Sequence, residues 1–103
     1  MEETVNCVEF CKALADPTRQ KILEMLLEDE MRVSDIVAAF NLSQPTVSHH
    51  LDVLSRYNLL ASRREGKEIY YRTDRSQVVF CCGKLMAKFD GPREDIPAVL
   101  TQE

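Results

Sequence analysis

Glycine and proline are scarce in this sequence: its 103 residues include three glycines and four prolines. A fold of many short strands needs more turn residues than this, whereas residues that favour helices, such as Ala, Leu, Glu and Lys, are plentiful. No apolar run approaches the roughly 18 residues that a membrane span requires. The first residues, MEETVNC, are acidic where a secretory signal would be basic. We therefore expect a mainly helical protein of the cytoplasm with no membrane segment.

The length and composition indicate one globular domain. Hydrophobic residues make up 45% of the chain and charged residues 29%, which is too apolar for a disordered protein. A single hydrophobic core commonly serves about 100–150 residues, so a second folded domain has no room. We expect the domain to occupy residues 1–92 and residues 93–103 to form a flexible tail.

The charges are unevenly distributed along the chain. A net charge of −4 does not by itself favour a nucleic-acid partner. Residues 1–30 carry eight acidic and three basic side chains, whereas residues 55–75 carry three acidic and six basic ones. Because the local field depends on the distribution and not on the total, the basic segment is either a solvated face or a surface for a polyanion. Its basic residues are Arg56, Arg63, Arg64, Lys67, Arg72 and Arg75.

Hydrophobic periodicity and capping residues predict five helices and one hairpin. The first four helices are expected over residues 3–15, 17–27, 35–40 and 44–57, with Asp16, Ser34 and Ser43 as the N-caps of the last three. Residues 60–65 and 68–73 resemble two strands joined by Gly66-Lys67. Asp74 and Gln77 resemble a capping box that opens a fifth helix, which Gly91-Pro92 would end. The element order is α-α-α-α-β-β-α.

This order is typical of a winged helix-turn-helix, in which two short helices meet at a tight turn and a basic hairpin follows. The start of the fourth helix presents hydrogen-bonding side chains suited to base edges and phosphates, namely Ser43, Gln44, Thr46, Ser48, His49 and His50. The hairpin presents Arg63, Arg64 and Lys67 for the phosphate backbone or the minor groove. Either feature alone is explained without DNA, as a capped helix start or a surface hairpin. The two together, in this order and within about thirty residues, predict a DNA-binding protein.

Three runs of sequence resemble the ArsR/SmtB family of bacterial metal-responsive repressors. They are Leu14-Ala-Asp-Pro-Thr-Arg-Gln-Lys-Ile-Leu, Asn41-Leu-Ser-Gln-Pro-Thr-Val-Ser-His-His-Leu-Asp-Val-Leu and Gly66-Lys-Glu-Ile-Tyr-Tyr-Arg. The resemblance implies a homodimer built on the first and last helices, which binds operator DNA of imperfect dyad symmetry and is released by an inducer. It also implies that Ser43, Gln44, Thr46, Ser48 and His49 face the DNA.

Two sensing sites of the family have no counterpart here. Arsenite sensors of one group carry Cys-Val-Cys-Asp where this chain has Arg32-Val33-Ser34-Asp35. The zinc-type site of the last helix uses an Asp, two His and a Glu, and the matching positions here are Asp74, Ser76, Ala87 and Asp90. Neither site can be carried over, because both thiols of the first and both histidines of the second are missing.

The four cysteines are the remaining candidate inducer site. Cys7 and Cys11 lie one helical turn apart, and Cys81 and Cys82 are adjacent on the last helix. In a reducing cytoplasm such thiols stay unlinked, and a dimer interface of the first and last helices would bring them together from one or both subunits. Thiolates suit soft ions such as arsenite, antimonite, Cd(II) or Pb(II) and, less selectively, Zn(II). A Cys-Cys pair at this place is also similar to a second group of arsenic sensors in the family.

Other interpretations of these residues remain open. The cysteines can be small core side chains, or a redox or persulfide switch. A thiol enzyme is disfavoured because no Cys/His catalytic pair or Gly-rich phosphate loop is evident, so no catalytic residue or catalytic cofactor is expected. The fold can also serve as an interaction module that binds no DNA. Tyr70 and Tyr71 should alternate across a strand, one in the core and one on the surface.

Overall fold

A computed structural model describes residues 6–90 of the chain. That part contains five helices and three strands. Their bounds are α1 Cys7–Leu14, α2 Pro17–Glu28, β1 Met31–Arg32, α3 Val33–Phe40, α4 Gln44–Arg56, β2 Leu60–Glu65, β3 Glu68–Thr73 and α5 Arg75–Ala87. Within residues 6–90, no helix combines the length and the apolar character needed to cross a bilayer.

Three of the predicted N-caps are confirmed. Asp16, Ser43 and Asp74 precede α2, α4 and α5, and each side chain accepts a backbone N–H from the first turn of its helix. The donor–acceptor distances are 2.7 Å from Thr18 N to Asp16 Oδ1, 3.3 Å from Thr46 N to Ser43 Oγ, and 3.2 Å from Gln77 N to Asp74 Oδ1. These caps satisfy N–H groups that have no partner inside the helix, so the three helices begin where the sequence predicts.

Two helix starts differ from the prediction. The first helix begins at Cys7, because Asn6 adopts an extended N-cap conformation and accepts the Glu9 N–H at 3.1 Å; the expected start at residue 3 lies outside the described residues. The third begins at Val33, so Ser34 lies inside the helix and is not its cap. The Asp35 carboxylate instead accepts the backbone N–H of Arg32, at 3.0 Å.

The end of the last helix also differs from the prediction. Helix α5 ends at Ala87, before the expected stop at Gly91-Pro92, which lies outside the described residues together with the expected tail over 93–103. Only half of the predicted capping box is present. The Gln77 side chain donates to the Tyr57 carbonyl at 3.1 Å, and the Asp74 N–H donates to the Leu59 carbonyl at 2.9 Å.

The hairpin is confirmed with both strands at their predicted bounds, but the sheet has three strands and not two. Strand β3 lies in the centre, antiparallel to β2 on one side and to β1 on the other. A two-residue strand has no measurable periodicity, so the sequence alone does not predict β1. The hairpin turn uses Gly66 at φ 64°, a conformation that favours glycine.

One hydrophobic core joins the helices to the sheet. Its buried members are Phe10, Ile22, Leu23, Leu26, Ile36, Val47, Leu51, Leu54, Leu59 and Cys81. In contrast, large apolar side chains on α1 and around α5 are exposed, and they are Val8, Val79, Phe80, Met86 and Phe89. The folded unit therefore has a filled interior under α2–α4 and an open apolar surface on its first and last helices.

Candidate nucleic-acid interface

Helix α4 is set at an angle to α3 by a short turn. Asn41 ends α3 in the left-handed conformation, at φ 56° and ψ 42°, and its N–H donates to the Val37 carbonyl at 2.9 Å. Asparagine tolerates this conformation better than most residues. Ser43 then caps α4, and Pro45 stands in the first turn, where its missing N–H breaks no hydrogen bond. The local sequence thus builds a helix-turn-helix.

One face of α4 is buried and the other is open to solvent. Val47, Leu51 and Leu54 are at most 3% exposed, as their i, i+4, i+7 spacing predicts. Most of the side chains proposed to contact DNA are exposed, and these are Ser43, Gln44, Thr46, Ser48 and His49. The Ser43 hydroxyl donates to the Thr46 hydroxyl at 2.9 Å while it caps the helix. Gln44, Ser48 and His49 form the outer edge of this face.

His50 is the exception, because it is buried and does not belong to the exposed face. Neighbouring residues on a helix point about 100° apart, so His49 faces solvent while His50 turns towards α2. Its Nδ1 lies 3.2 Å from Nη1 of Arg19. Burial lowers the pKa of His50, and the nearby Asp16 carboxylate only partly opposes this effect. The structure therefore corrects the expectation that His50 is offered to DNA.

The hairpin of β2 and β3, here called the wing, presents its basic residues in two different ways. Arg64 and Lys67 are exposed beside the turn. Arg63 is paired: Nε donates to Glu30 at 2.8 Å and Nη1 donates to Glu65 at 2.7 Å. These hydrogen bonds raise the pKa of Arg63, and the one from Arg63 lowers the pKa of Glu30. The charge of Arg63 is thus compensated by two carboxylates of its own chain.

The two wing tyrosines differ as predicted. Tyr71 packs against the core, whereas the ring of Tyr70 lies under the Arg63 guanidinium, 4.6 Å from its central carbon. A cleft of about 330 Å³ separates the start of α4 from the turn of the wing. Its polar lining includes Ser34, Gln44, Lys67 and Glu68. One candidate DNA-contacting residue of α4, Gln44, and one of the wing, Lys67, therefore border the same concave surface.

The four cysteines do not form one cluster in the folded chain. Cys7 and Cys11 line a groove of about 520 Å³ between α1 and α5, here called the thiol groove, together with Val8, Lys12, Ala15, Leu85, Lys88 and Phe89. Cys81 belongs to the core, where its Sγ accepts from Gln77 Nε2 at 3.6 Å, and Cys82 packs beside it. No disulfide links the four. Within residues 6–90, no group of three or more Cys, His, Asp or Glu side chains is placed to hold a metal ion.

Sequence reasoning missed two residues that organise this surface. Arg19 joins α2 to His50 of α4, and Glu30 joins the α2–β1 connection to the wing. The acidic excess of residues 1–30 and the basic excess of residues 55–75 were a coarse signal for the second contact. No periodicity or motif indicated the contact between Arg19 and His50, because these residues are 31 positions apart and meet through their side chains alone.

Comparisons with known proteins agree with this arrangement. A family profile described as "Bacterial regulatory protein, arsR family" matches residues 16–62. The chain is 45% identical over 60 residues to the transcriptional repressor SdpR of Bacillus subtilis (strain 168). The aligned residues cover 58% of this chain and 67% of SdpR. It is 43% identical over 78 residues to a homologue of the cadmium resistance transcriptional regulatory protein CadC from Staphylococcus aureus, over 75% of this chain and 64% of that one.

A solved structure shares the fold. The structure of a homodimeric winged helix-turn-helix DNA-binding domain from Mycobacterium bovis has a TM-score of 0.66 against this chain, with 24% sequence identity. The alignment covers 91% of this chain and 95% of that one. The predicted winged helix-turn-helix is thereby confirmed. The family match and the similarity to the repressor SdpR confirm the expectation of a DNA-binding transcriptional regulator and not an enzyme. The chain belongs to the arsR family of bacterial regulatory proteins.

Proposed function

We propose that this protein is a homodimeric repressor that binds operator DNA and leaves it when an inducer binds. Helix α4 enters the major groove, with Gln44, Ser48 and His49 at the base edges, while Arg64 and Lys67 of the wing contact the flanking backbone. The observation that carries the proposal is the cleft in which Gln44, at the exposed start of α4, faces Lys67 at the turn of the wing. Such a surface can contact bases and phosphates at the same time.

The exposed apolar side chains of α1 and α5 support a dimer. Val79 is 62% exposed, Met86 65% and Phe89 79%. Several large exposed apolar side chains on the same helices are typical of protein–protein contacts, and burial of apolar surface contributes about 25 cal/mol per Å². A second copy related by a two-fold axis would cover this surface and present two α4 helices to half-sites about 34 Å apart.

Selection of duplexes from a random pool tests the DNA-binding proposal. The purified protein should enrich an imperfect palindrome, and its affinity for that duplex should fall steeply with salt because phosphate contacts release counterions. Gln44→Ala and Ser48→Ala should change the enriched sequence, since each good base contact is worth about 1–3 kcal/mol of discrimination. No enrichment of any duplex, or equal binding to heparin and DNA, would overturn the proposal in favour of an interaction module.

The inducer that we propose is a soft metal or metalloid ion held by cysteine thiolates, with As(III) first and Cd(II), Pb(II) or Zn(II) as alternatives. Cys7 and Cys11 in the thiol groove support this, because two thiolates one turn apart are a partial site for a thiophilic ion. Ligands from a second copy would complete it, since one chain assembles no group of three within residues 6–90. The similarity to a cadmium resistance regulator supports the same class of inducer.

Titration of the reduced protein on its selected duplex tests the inducer. Arsenite or Cd(II) should weaken DNA binding roughly 5- to 150-fold, the range of a coupling free energy of about 1–3 kcal/mol. Cys7→Ser with Cys11→Ser should abolish the response, and Cys82→Ser tests the second pair. A response to persulfide or disulfide oxidation but to no ion would replace this inducer with a thiol switch. No response to any of them would leave the cysteines a structural role.

A further inference from the structure

The guanidinium of Arg19 lies between the end of α1 and the middle of α4. Its Nε donates to the Ala13 carbonyl at 2.7 Å, and its Nη2 donates to the Lys12 carbonyl at 3.2 Å. Its Nη1 is 3.2 Å from Nδ1 of His50. All three nitrogens of one rigid, planar group are therefore engaged, two with α1 and one with α4.

The contacts to α1 supply donors at the end of that helix. Ala13 belongs to its last turn, where carbonyls have no partner four residues on, and the Lys12 carbonyl accepts the Ala15 N–H at 3.2 Å as well as Arg19. Arginine is always protonated, so its Nη1 can only donate, and Nδ1 of His50 must therefore be the acceptor. This assigns the ring proton of neutral His50 to Nε2, and burial of the ring favours that neutral form.

The contact joins the two surfaces to which function has been assigned. Helix α1 carries the thiol groove, in which Cys11 and Lys12 are neighbours, and α4 carries the polar edge. A second contact joins the same helices at the end of α4, where the Tyr57 hydroxyl donates to Glu9 at 3.3 Å. Two tethers on one helix fix its rotation as well as its position, which one tether cannot do.

We propose that Arg19 is a positioning residue for DNA recognition, which sets the orientation of α4 relative to α1 through its hydrogen bond to His50. This rests on the proposed function of α4 as the helix that reads DNA. Rotation of α4 displaces base contacts more than phosphate contacts, because base contacts require aligned donors and acceptors and phosphate contacts depend mostly on charge. Loss of the tether should therefore reduce specific binding more than non-specific binding.

Gln20 provides the matched control for this proposal. Its Nε2 donates to the Leu14 carbonyl, at the same end of α1, and the Gln20 side chain is exposed. Gln20→Ala therefore removes a cap from α1 without removing a contact to α4. Arg19→Gln removes the tether to His50, and both variants lose stability through α1.

The first measurement compares affinities for the selected duplex and for a scrambled duplex of equal length. Arg19→Gln should lower the ratio of the two affinities about tenfold, within the usual range of coupling between sites, whereas Gln20→Ala should leave the ratio unchanged. Equal ratios in the wild type and Arg19→Gln, or equal losses in the two variants, would overturn the proposal. Thermal melts of each variant confirm that the compared proteins are folded at the assay temperature.

His50 variants test the route through the imidazole. His50→Gln keeps an acceptor for Arg19 and should preserve the affinity ratio, while His50→Leu should lower it as much as Arg19→Gln does. The double variant Arg19→Gln, His50→Leu should show no further loss of the affinity ratio, since both substitutions remove the same hydrogen bond. Additive losses would overturn the assignment.

A measurement without DNA separates this inference from the proposed function. In ¹⁵N NMR spectra of the free protein, His50 should show a protonated Nε2 and an unprotonated, hydrogen-bonded Nδ1, and Arg19→Gln should shift the Nδ1 signal. Gln20→Ala should leave that signal in place. A wild type that enriches no duplex but shows this signature refutes the DNA proposal alone, and a protonated Nδ1 refutes the tether whatever the DNA result.

Discussion

The Arg63 guanidinium holds the Glu30 carboxylate through two of its nitrogens, with Nε 2.8 Å from Oε2 and Nη2 2.8 Å from Oε1. These residues lie 33 positions apart, and their contact attaches the wing to the connection between α2 and β1. The remaining Nη1 donates to Glu65. Arg63 therefore stabilises the position of the wing, and its exposed neighbour Arg64 is the arginine that we propose contacts DNA.

The two arginines should consequently differ in the salt dependence of DNA binding. Arg64→Gln removes one phosphate contact, so the slope of log affinity against log salt should become shallower by about 0.9. Arg63→Gln should leave the slope nearly unchanged, because its charge is already matched by carboxylates. Fluorescence anisotropy at four or more salt concentrations measures both slopes. Equal changes in the two variants would show that Arg63 leaves Glu30 when DNA binds.

Glu30→Gln is the reciprocal test of the same contact. The neutral amide leaves Arg63 with a weaker partner, so the wing should gain positive field and non-specific DNA affinity should rise, most of all at low salt. Glu24→Gln, an exposed acid on α2 that pairs only loosely with Lys21 at 3.8 Å, is the control for a simple change of net charge. If the two variants gain the same affinity, the Glu30–Arg63 contact has no special effect on the wing.

Ser43 allows capping and DNA contact to be separated. Ser43→Ala removes the acceptor for the Thr46 N–H and should lower the free energy of unfolding by about 1 kcal/mol, the usual value of an N-cap. Ser43→Asp keeps an acceptor at the N-cap and should retain stability, but its charge should repel phosphate and weaken binding to every duplex. Urea denaturation and anisotropy measure the two effects. Full DNA affinity in Ser43→Asp would exclude Ser43 from the interface.

The free energy of unfolding should decrease as the pH is lowered below the ordinary pKa of histidine. Burial lowers the pKa of His50 in the folded state, so between about pH 6.5 and that lower pKa the unfolded chain binds more protons than the folded chain does. The contribution of His50 is therefore fully present above about pH 6.5 and is lost as the pH falls towards the folded-state pKa. The Ser76 hydroxyl lowers the pKa of Asp74 by hydrogen bonding. The contribution of Asp74 to stability is therefore lost in a more acidic range, below about pH 4.

Urea midpoints measured between pH 7.5 and 5 test this prediction, with His50→Gln as the comparison, since glutamine does not titrate. The wild type should lose more stability than His50→Gln across this range. Parallel curves for the two proteins would mean that His50 is protonated as readily in the folded state as in the unfolded one.

Local signals in the sequence identified most of this fold, and long-range contacts account for the remainder. Asp16, Ser43 and the Gly66-Lys67 turn act within a few residues of their own positions, so the helices and the hairpin that they define were predictable. Strand β1 exists because β3 pairs with it, which no local pattern reveals. The burial of His50 depends in the same way on α2, since the consecutive polar residues Ser48, His49 and His50 do not by themselves show which side chain has a partner on another helix.

Charges placed on the exposed apolar surface of α5 should dissociate the proposed dimer. Val79→Glu and Met86→Glu place a charge on side chains that are 62% and 65% exposed, so the folded monomer should lose little stability. In a dimer that buries α5, however, the same charges would be desolvated without a partner, and the dimer should dissociate. Leu27→Glu is the control, because Leu27 is a 45% exposed apolar residue on α2, which does not belong to the proposed contact of α1 and α5. Light scattering should show a monomer for the two α5 variants only.

The affinity of these variants for the selected duplex should fall about 100-fold or more, because in a monomer the two α4 helices bind the half-sites as separate molecules and not as one linked pair. A monomeric wild type, or α5 variants that remain dimeric, would place the contact between subunits elsewhere on the molecule.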